Sequence, residues 1–158
     1  MLIGAAMPDV PPQDSRGLFM LPQAPEQAGY YVYGTPTHGK AQYAHPSMLT
    51  LLLAVEREWA RTEVRKFGVG NISVDGGAYF GHKSHRKGLE VDCRPLRKDG
   101  RHVPVTYDSP DYDLTATTKL IGLFRACAAA PLVIFFNDVR IPGTRRLKKH
   151  DDHFHVQF

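Results

Sequence analysis

Five of the eight histidines fall in two short segments, Gly81-His-Lys-Ser-His85, which leads to Asp92, and His150-Asp-Asp-His-Phe-His155. Imidazole and carboxylate are the side chains that hold a catalytic zinc, and imidazole also moves protons near neutral pH. In a terminal strand, His153 and His155 stand two apart and project from one face, while Phe154 and Val156 point to the other. Leu89, Val91 and Cys93 alternate in the same way, which leaves Glu90 and Asp92 on the face opposite the core. Gly88 gives the preceding loop the freedom to bring His85 back beside Asp92. Two imidazoles and one carboxylate can therefore converge on a metal ion and leave a fourth position for water, the ligand count of a catalytic zinc. The remaining histidines are candidates to accept the water's proton and return it to a leaving amine, namely His153, His150 and His82. Glu90 reads as a solvent-facing residue or a neighbour of the ligands. Asp151 and Asp152 read as turn formers or as partners for imidazole N–H groups.

The elements that must position these residues are legible in outline. Tyr30–Tyr33 is a short β-prone run. A helix is expected from His45-Pro46-Ser47 to about Phe67, with Leu49, Leu52, Leu53, Ala60 and Val64 near helical spacing and Gly68 and Gly70 ending it. Asn71–Asp75 reads as a strand stopped by Gly76-Gly77, and Leu89–Cys93 as another. Pro104–Asp113 is a polar loop. Asp113 can cap a second helix through about Ala130, with Leu120, Ile121, Phe124 and Ala128 on one face and Pro131 as the stop. Leu132–Phe136 and His153–Phe158 complete the set. This order predicts a single α+β domain over residues 30–158: a mainly antiparallel sheet, helices packed on one side and the metal site on the sheet face. Residues 1–29, rich in proline, read as an extended N-terminal arm.

Composition bounds the function less tightly. At 158 residues, with 42% hydrophobic and 23% charged residues, the chain has the make-up of one folded domain with one site. Its net charge of +4 and pI near 9.1 suit an anionic partner. Basic residues gather at Arg86-Lys87, at Arg94–Arg101 and at Arg145–Lys149. There is no zinc-finger spacing or basic–aromatic interleaving, which argues against a nucleic-acid binder. Two cysteines, Cys93 and Cys127, are too few for a disulfide scaffold and have no CxxC spacing; whether they pair is open from sequence. The first residues lack the cationic lead and sustained apolar stretch of a secretory leader, and no run is long enough to insert in a membrane.

The segments Gly81-His-Lys-Ser-His-Arg-Lys-Gly-Leu-Glu-Val-Asp92 and His150-Asp-Asp-His-Phe-His-Val156 resemble the signatures of the penicillin-insensitive murein endopeptidases, within the lysostaphin and D-alanyl-D-alanine metallopeptidase group. The resemblance implies that His85, Asp92 and His155 bind Zn2+. It also implies that His153 acts as acid/base or transition-state stabiliser, with His150 and His82 lining the site. The implied substrate is peptidoglycan stem peptide, cut at D-alanyl to diaminopimelate cross-links in the periplasm or cell wall. Delivery by a phage lysis system or a specialised secretion machine would fit the lack of a recognisable leader. The alternatives are a D,D-carboxypeptidase or other peptidoglycan amidase with the same metal site, and a non-catalytic, zinc-stabilised wall-binding module. Oligomeric state is not legible.

Overall fold

The computed structural model describes residues 11–158 apart from Phe80 and His82, so the expectation for His82 lies outside the described residues. The described residues form an α+β domain with seven strands and two α-helices. Strands β2 (Tyr30–Val32), β4 (Phe67–Val69), β5 (Glu90–Arg94), β7 (Phe154–Gln157) and β6 (Val133–Phe135) form one sheet in the order β2-β4-β5-β7-β6. Strands β1 (Phe19–Met20) and β3 (Tyr43–Ala44) pair as a separate antiparallel ribbon.

The large sheet is mixed rather than antiparallel throughout. Its other pairings are antiparallel, but β2 and β4 run parallel, with Tyr30 opposite Phe67 and Val32 opposite Val69. The physical reason lies in the connection between them. Helix α1 (Pro46–Ala60) carries the chain back to the starting edge, as a parallel pair requires. His45 caps α1 by accepting a hydrogen bond from Ser47 N at 3.1 Å, and Pro46 occupies the first turn, where its missing N–H costs nothing. The buried stripe is Met48, Leu51, Leu52, Val55 and Trp59.

This helix stops seven residues earlier than the sequence suggests. Trp59 Nε1 donates to Arg65 O at 2.7 Å, which folds the chain back over the helix end. Ala60 is exposed, Val64 is 97% exposed, and Phe67 opens β4. Gly68 lies inside that strand because the Tyr31 ring packs across it: a Cβ there would sit 2.8 Å from the ring. The expected strand at Asn71–Asp75 is irregular backbone. Ile72 N and Asp75 N bond to Ala41 O and Lys40 O, and the segment ends in a 3-10 turn at Asp75–Gly77.

Helix α2 (Leu114–Cys127) begins at Asp113, whose carboxylate accepts from Ala116 N at 2.9 Å, and it ends three residues before Ala130. Both helices lie on the same face of the sheet. Trp59 of α1 meets Phe67 at 6.2 Å between ring centroids, and Phe124 of α2 meets Phe67 and Phe154 at 6.4 and 5.8 Å. Val69, Val91, Cys93, Ile134 and Val156 complete that face. Cys93 is fully buried, and neither it nor Cys127 is in a disulfide. Residues 11–29 are anchored by the pairing of β1 with β3, by the fully buried Leu21, and by Arg16 Nη2, which donates to Ser73 Oγ and Val74 O.

Candidate metal centre

The face turned away from the helices is a set of cross-strand rows. Tyr31, Gly68 and Arg94 form one row. Asp92, His155 and Phe135 form the next, and Glu90, Gln157 and Val133 the third. Period-two alternation puts Asp92 and His155 on the faces that the sequence predicts, and the register of β5 with β7 sets them directly opposite each other.

Three side chains converge in the middle row. His155 Nδ1 lies 2.9 Å and His85 Nε2 3.3 Å from Asp92 Oδ1. The two imidazoles meet edge to face at 4.8 Å. One ligand atom from each of the three residues falls within 4.8 Å of the others, so the cluster can hold a metal ion. His85 and His155 are buried, and Asp92 is nearly so.

Each imidazole is oriented by its second nitrogen. His85 Nδ1 donates to Ile72 O at 3.0 Å, which aims Nε2 into the site. His155 Nε2 faces Gln157 Oε1 at 3.1 Å and Glu90 Oε1 at 3.7 Å, which aims Nδ1 there. Glu90 also accepts from the backbone N–H of His85, so one carboxylate braces both histidines. Of the two readings open for Glu90, the structure places it beside His85 and His155 rather than free in solvent. Gln157 was not anticipated, although it shares the two-residue period of His153 and His155 and could have been found by continuing it.

The loop that delivers His85 depends on its backbone. His85 itself has φ +62°, and Gly88 has φ +69° with its carbonyl accepting from His45 N. A Cβ on Gly88 would lie 2.5 Å from that same nitrogen, so only glycine fits.

The electrostatics favour a cation. Burial works against charge on Asp92, but hydrogen bonds from His155 and His85 overcome it and hold the carboxyl far below its ordinary range. Burial likewise pulls His155 down, yet the carboxylates of Asp92 and Glu90 win and raise it to about 9.

His153 lies beside the cluster. Its Nδ1 bonds Asp152 Oδ1 at 2.9 Å, and its Nε2 points inward, 3.9 Å from Asp92 Oδ1. His150 packs against it at 4.6 Å between ring centroids, with its Nδ1 on Lys148 O at 3.1 Å; burial lowers its pKa. Asp151 instead accepts from Asn137 Nδ2.

With this geometry in view, the comparison with known families is decisive. The model of the penicillin-insensitive murein endopeptidases matches residues 20–106, more than half of the chain. The chain belongs to that family. No curated protein matches it individually. The match takes in β2, α1, β4 and β5, and with them His85 and Asp92, whereas His150, His153 and His155 lie beyond it. In this murein endopeptidase the second half of the site therefore stands on geometry: β7 pairs with β5 in the one register that sets His155 against Asp92. The family assigns a peptidase that acts on murein, hence on the cell wall. Among the described residues no helix is long and apolar enough to cross a membrane.

Two cavities open on either side of the cluster. One, of about 480 Å³, is lined by Tyr33, Asn71, Arg94 and Pro104 among others. The other, of about 450 Å³, is lined by Lys83, Phe135, Leu147, Lys148 and Lys149, with His85 and His155. Asp92 and His153 belong to both. Sequence reasoning did not single out Tyr33, Asn71 or Arg94, because no chemical spacing links them to the histidines before the sheet is assembled.

Proposed function

We propose that the chain is a zinc-dependent endopeptidase that hydrolyses D-alanyl to diaminopimelate cross-links of peptidoglycan, with His85 Nε2, Asp92 and His155 Nδ1 as the metal ligands. The observation that carries this reading is the convergence of those three atoms at the point where two cavities meet. Two nitrogen donors and one carboxylate oxygen, each with its outer atoms already satisfied, suit zinc and leave it an open position. When bound, zinc supplies a Lewis acid and lowers the pKa of a bound water toward about 7.

The protein's own residues do the rest. Asp152 holds His153 by Nδ1, so Nε2 is the nitrogen that faces the site, the arrangement that fixes one tautomer for taking and returning a proton. His150, kept neutral by burial, packs on the His153 ring and holds it in place without adding a charge. Lys83, Lys148 and Lys149 give the second cavity a positive rim suited to an anionic wall peptide.

An endopeptidase needs room for chain on both sides of the bond, and the cleft is open on both sides of Asp92 and His153. That favours cross-link cleavage over removal of a terminal residue. The test is digestion of purified cross-linked muropeptides with and without a chelator, with products read by mass spectrometry. Dimers should become monomers at the D-alanyl to diaminopimelate bond, and the chelator should stop this. Cleavage that survives complete zinc removal, or loss of a terminal residue alone, would overturn the reading.

A further inference from the structure

The cavity of about 480 Å³ is lined by a cation, Arg94, whose environment differs from that of Arg65, Arg97 and Arg140. Arg65, Arg97 and Arg140 each bond a carboxylate at 2.6–2.8 Å. Arg94 has no carboxylate partner among the described residues. Its guanidinium lies 3.9 Å over the Tyr33 ring and 6.0 Å from that of Tyr31, and Nη1 donates to His102 O at 3.3 Å. Aromatic faces and a carbonyl orient the group without neutralising its charge. The acids that share the cavity are engaged elsewhere, Asp92 with the two imidazoles and Asp152 with His153.

Beside Arg94, the Tyr33 hydroxyl is buried and has no hydrogen-bond partner among the described residues. With no exposed surface that hydroxyl is out of a ligand's reach, so it is the Tyr33 ring that acts, as the platform that holds the guanidinium. Gly70 makes room for this ring, since a Cβ there would lie 2.5 Å from it.

Arg94 and Asp92 are two apart on the same strand face, which places their side chains roughly 7 Å apart along the strand. That spacing matches a chemical feature of the proposed substrate. In a D-alanyl to diaminopimelate cross-link, the carbon bearing the scissile nitrogen also bears a free carboxylate. With the scissile amide over the Asp92 cluster, that carboxylate falls toward Arg94.

We propose that Arg94, held over the Tyr33 ring, forms a subsite for the free carboxylate adjacent to the scissile amide, so that the enzyme selects substrates whose amine-side residue keeps that carboxylate. The inference rests on the peptidase reading above. A guanidinium takes a carboxylate through two parallel N–H···O bonds, a recognition that a carboxamide does not reproduce.

The experiment uses the zinc-loaded full chain and two synthetic D-alanyl peptides that differ only in the amine-side residue, one with a free α-carboxylate and one with its α-carboxamide. The wild-type chain should prefer the carboxylate about tenfold to a hundredfold in kcat/KM, chiefly through KM. Arg94→Gln should bring the ratio close to one while zinc content stays at the wild-type level, and Arg94→Lys should recover part of it. Equal use of both peptides by the wild-type chain, or an undiminished preference in Arg94→Gln, would overturn the subsite and leave the peptidase reading standing. If neither peptide is cut, the peptidase reading fails instead, and calorimetric binding of the same pair still decides the subsite. A carboxylate preference lost in Arg94→Gln supports it, and equal affinities overturn it.

Discussion

His153 and His155 are two residues apart on one strand face, yet their surroundings give them different work. His155 is buried between Asp92, Glu90 and Gln157. His153 is partly open to the cleft, hydrogen-bonded to Asp152 and packed on the His150 ring. His155→Ala should therefore abolish zinc uptake, measured by elemental analysis of metal-loaded protein. His153→Ala should keep zinc and lose about 10²–10⁴-fold in turnover on cross-linked muropeptides, the usual contribution of a positioned acid/base. Full cleavage by His153→Ala would move proton transfer to another histidine. Glu90→Gln should weaken zinc affinity by about 10–100-fold, since it loosens the brace on both imidazoles.

At the scale of elements, the site depends on one loop meeting one ladder. The ladder is robust, because slipping β7 by a single residue would expose Phe154 and Val156 and bury His153. The loop is fragile. Gly88→Ala must strain a left-handed backbone and push against His45 N, Leu18 and Ala44 together. A loss of about 1–3 kcal/mol is expected by thermal unfolding, with weaker zinc binding because His85 rides on the same loop. Gly81→Ala, at φ +80° but with open space around it, should cost less.

The whole molecule is held by the aromatic layer between helices and sheet and by an ion cluster at its edge. Phe124→Ala would leave a void between Phe67 and Phe154 and should cost about 3–5 kcal/mol, read as a fall in Tm on the order of 10 °C. At the edge, Arg65 ties Glu63 at 2.8 Å to Asp113, the cap of α2, at 2.9 Å. The hydrogen bonds from Arg65 hold the Glu63 carboxyl down at about 2 against an ordinary 4.5. A depressed acid stabilises the fold above its unfolded value and loses that contribution as pH falls through the folded one. Stability should thus decline between pH 4.5 and 2, and Arg65→Met should flatten that limb in a series of unfolding midpoints against pH.

What the sequence determined by itself was local and periodic. The alternation of Leu89–Cys93 and of His153–Phe158 fixed which side chains face the core. It thereby fixed that Asp92, His153 and His155 share the opposite face, because a strand's period of two leaves no other choice once the apolar set is buried. The caps at His45-Pro46 and Asp113 were equally legible, since a cap is a contact within a few residues. The end of α1 was not. Val64 continues the helical period, and only the distant packing of Phe67 against Trp59 and Phe124 pulls that segment into the sheet. Gly68 and Gly70 look like helix stops until the Tyr31 and Tyr33 rings that cover them are seen. The parallel pairing of β2 with β4, the brace of Glu90 on both imidazoles and the unneutralised Arg94 beside the cluster are decided by contacts across many residues of chain. Such contacts leave no spacing in the sequence, because their energy is realised only when the sheet has assembled.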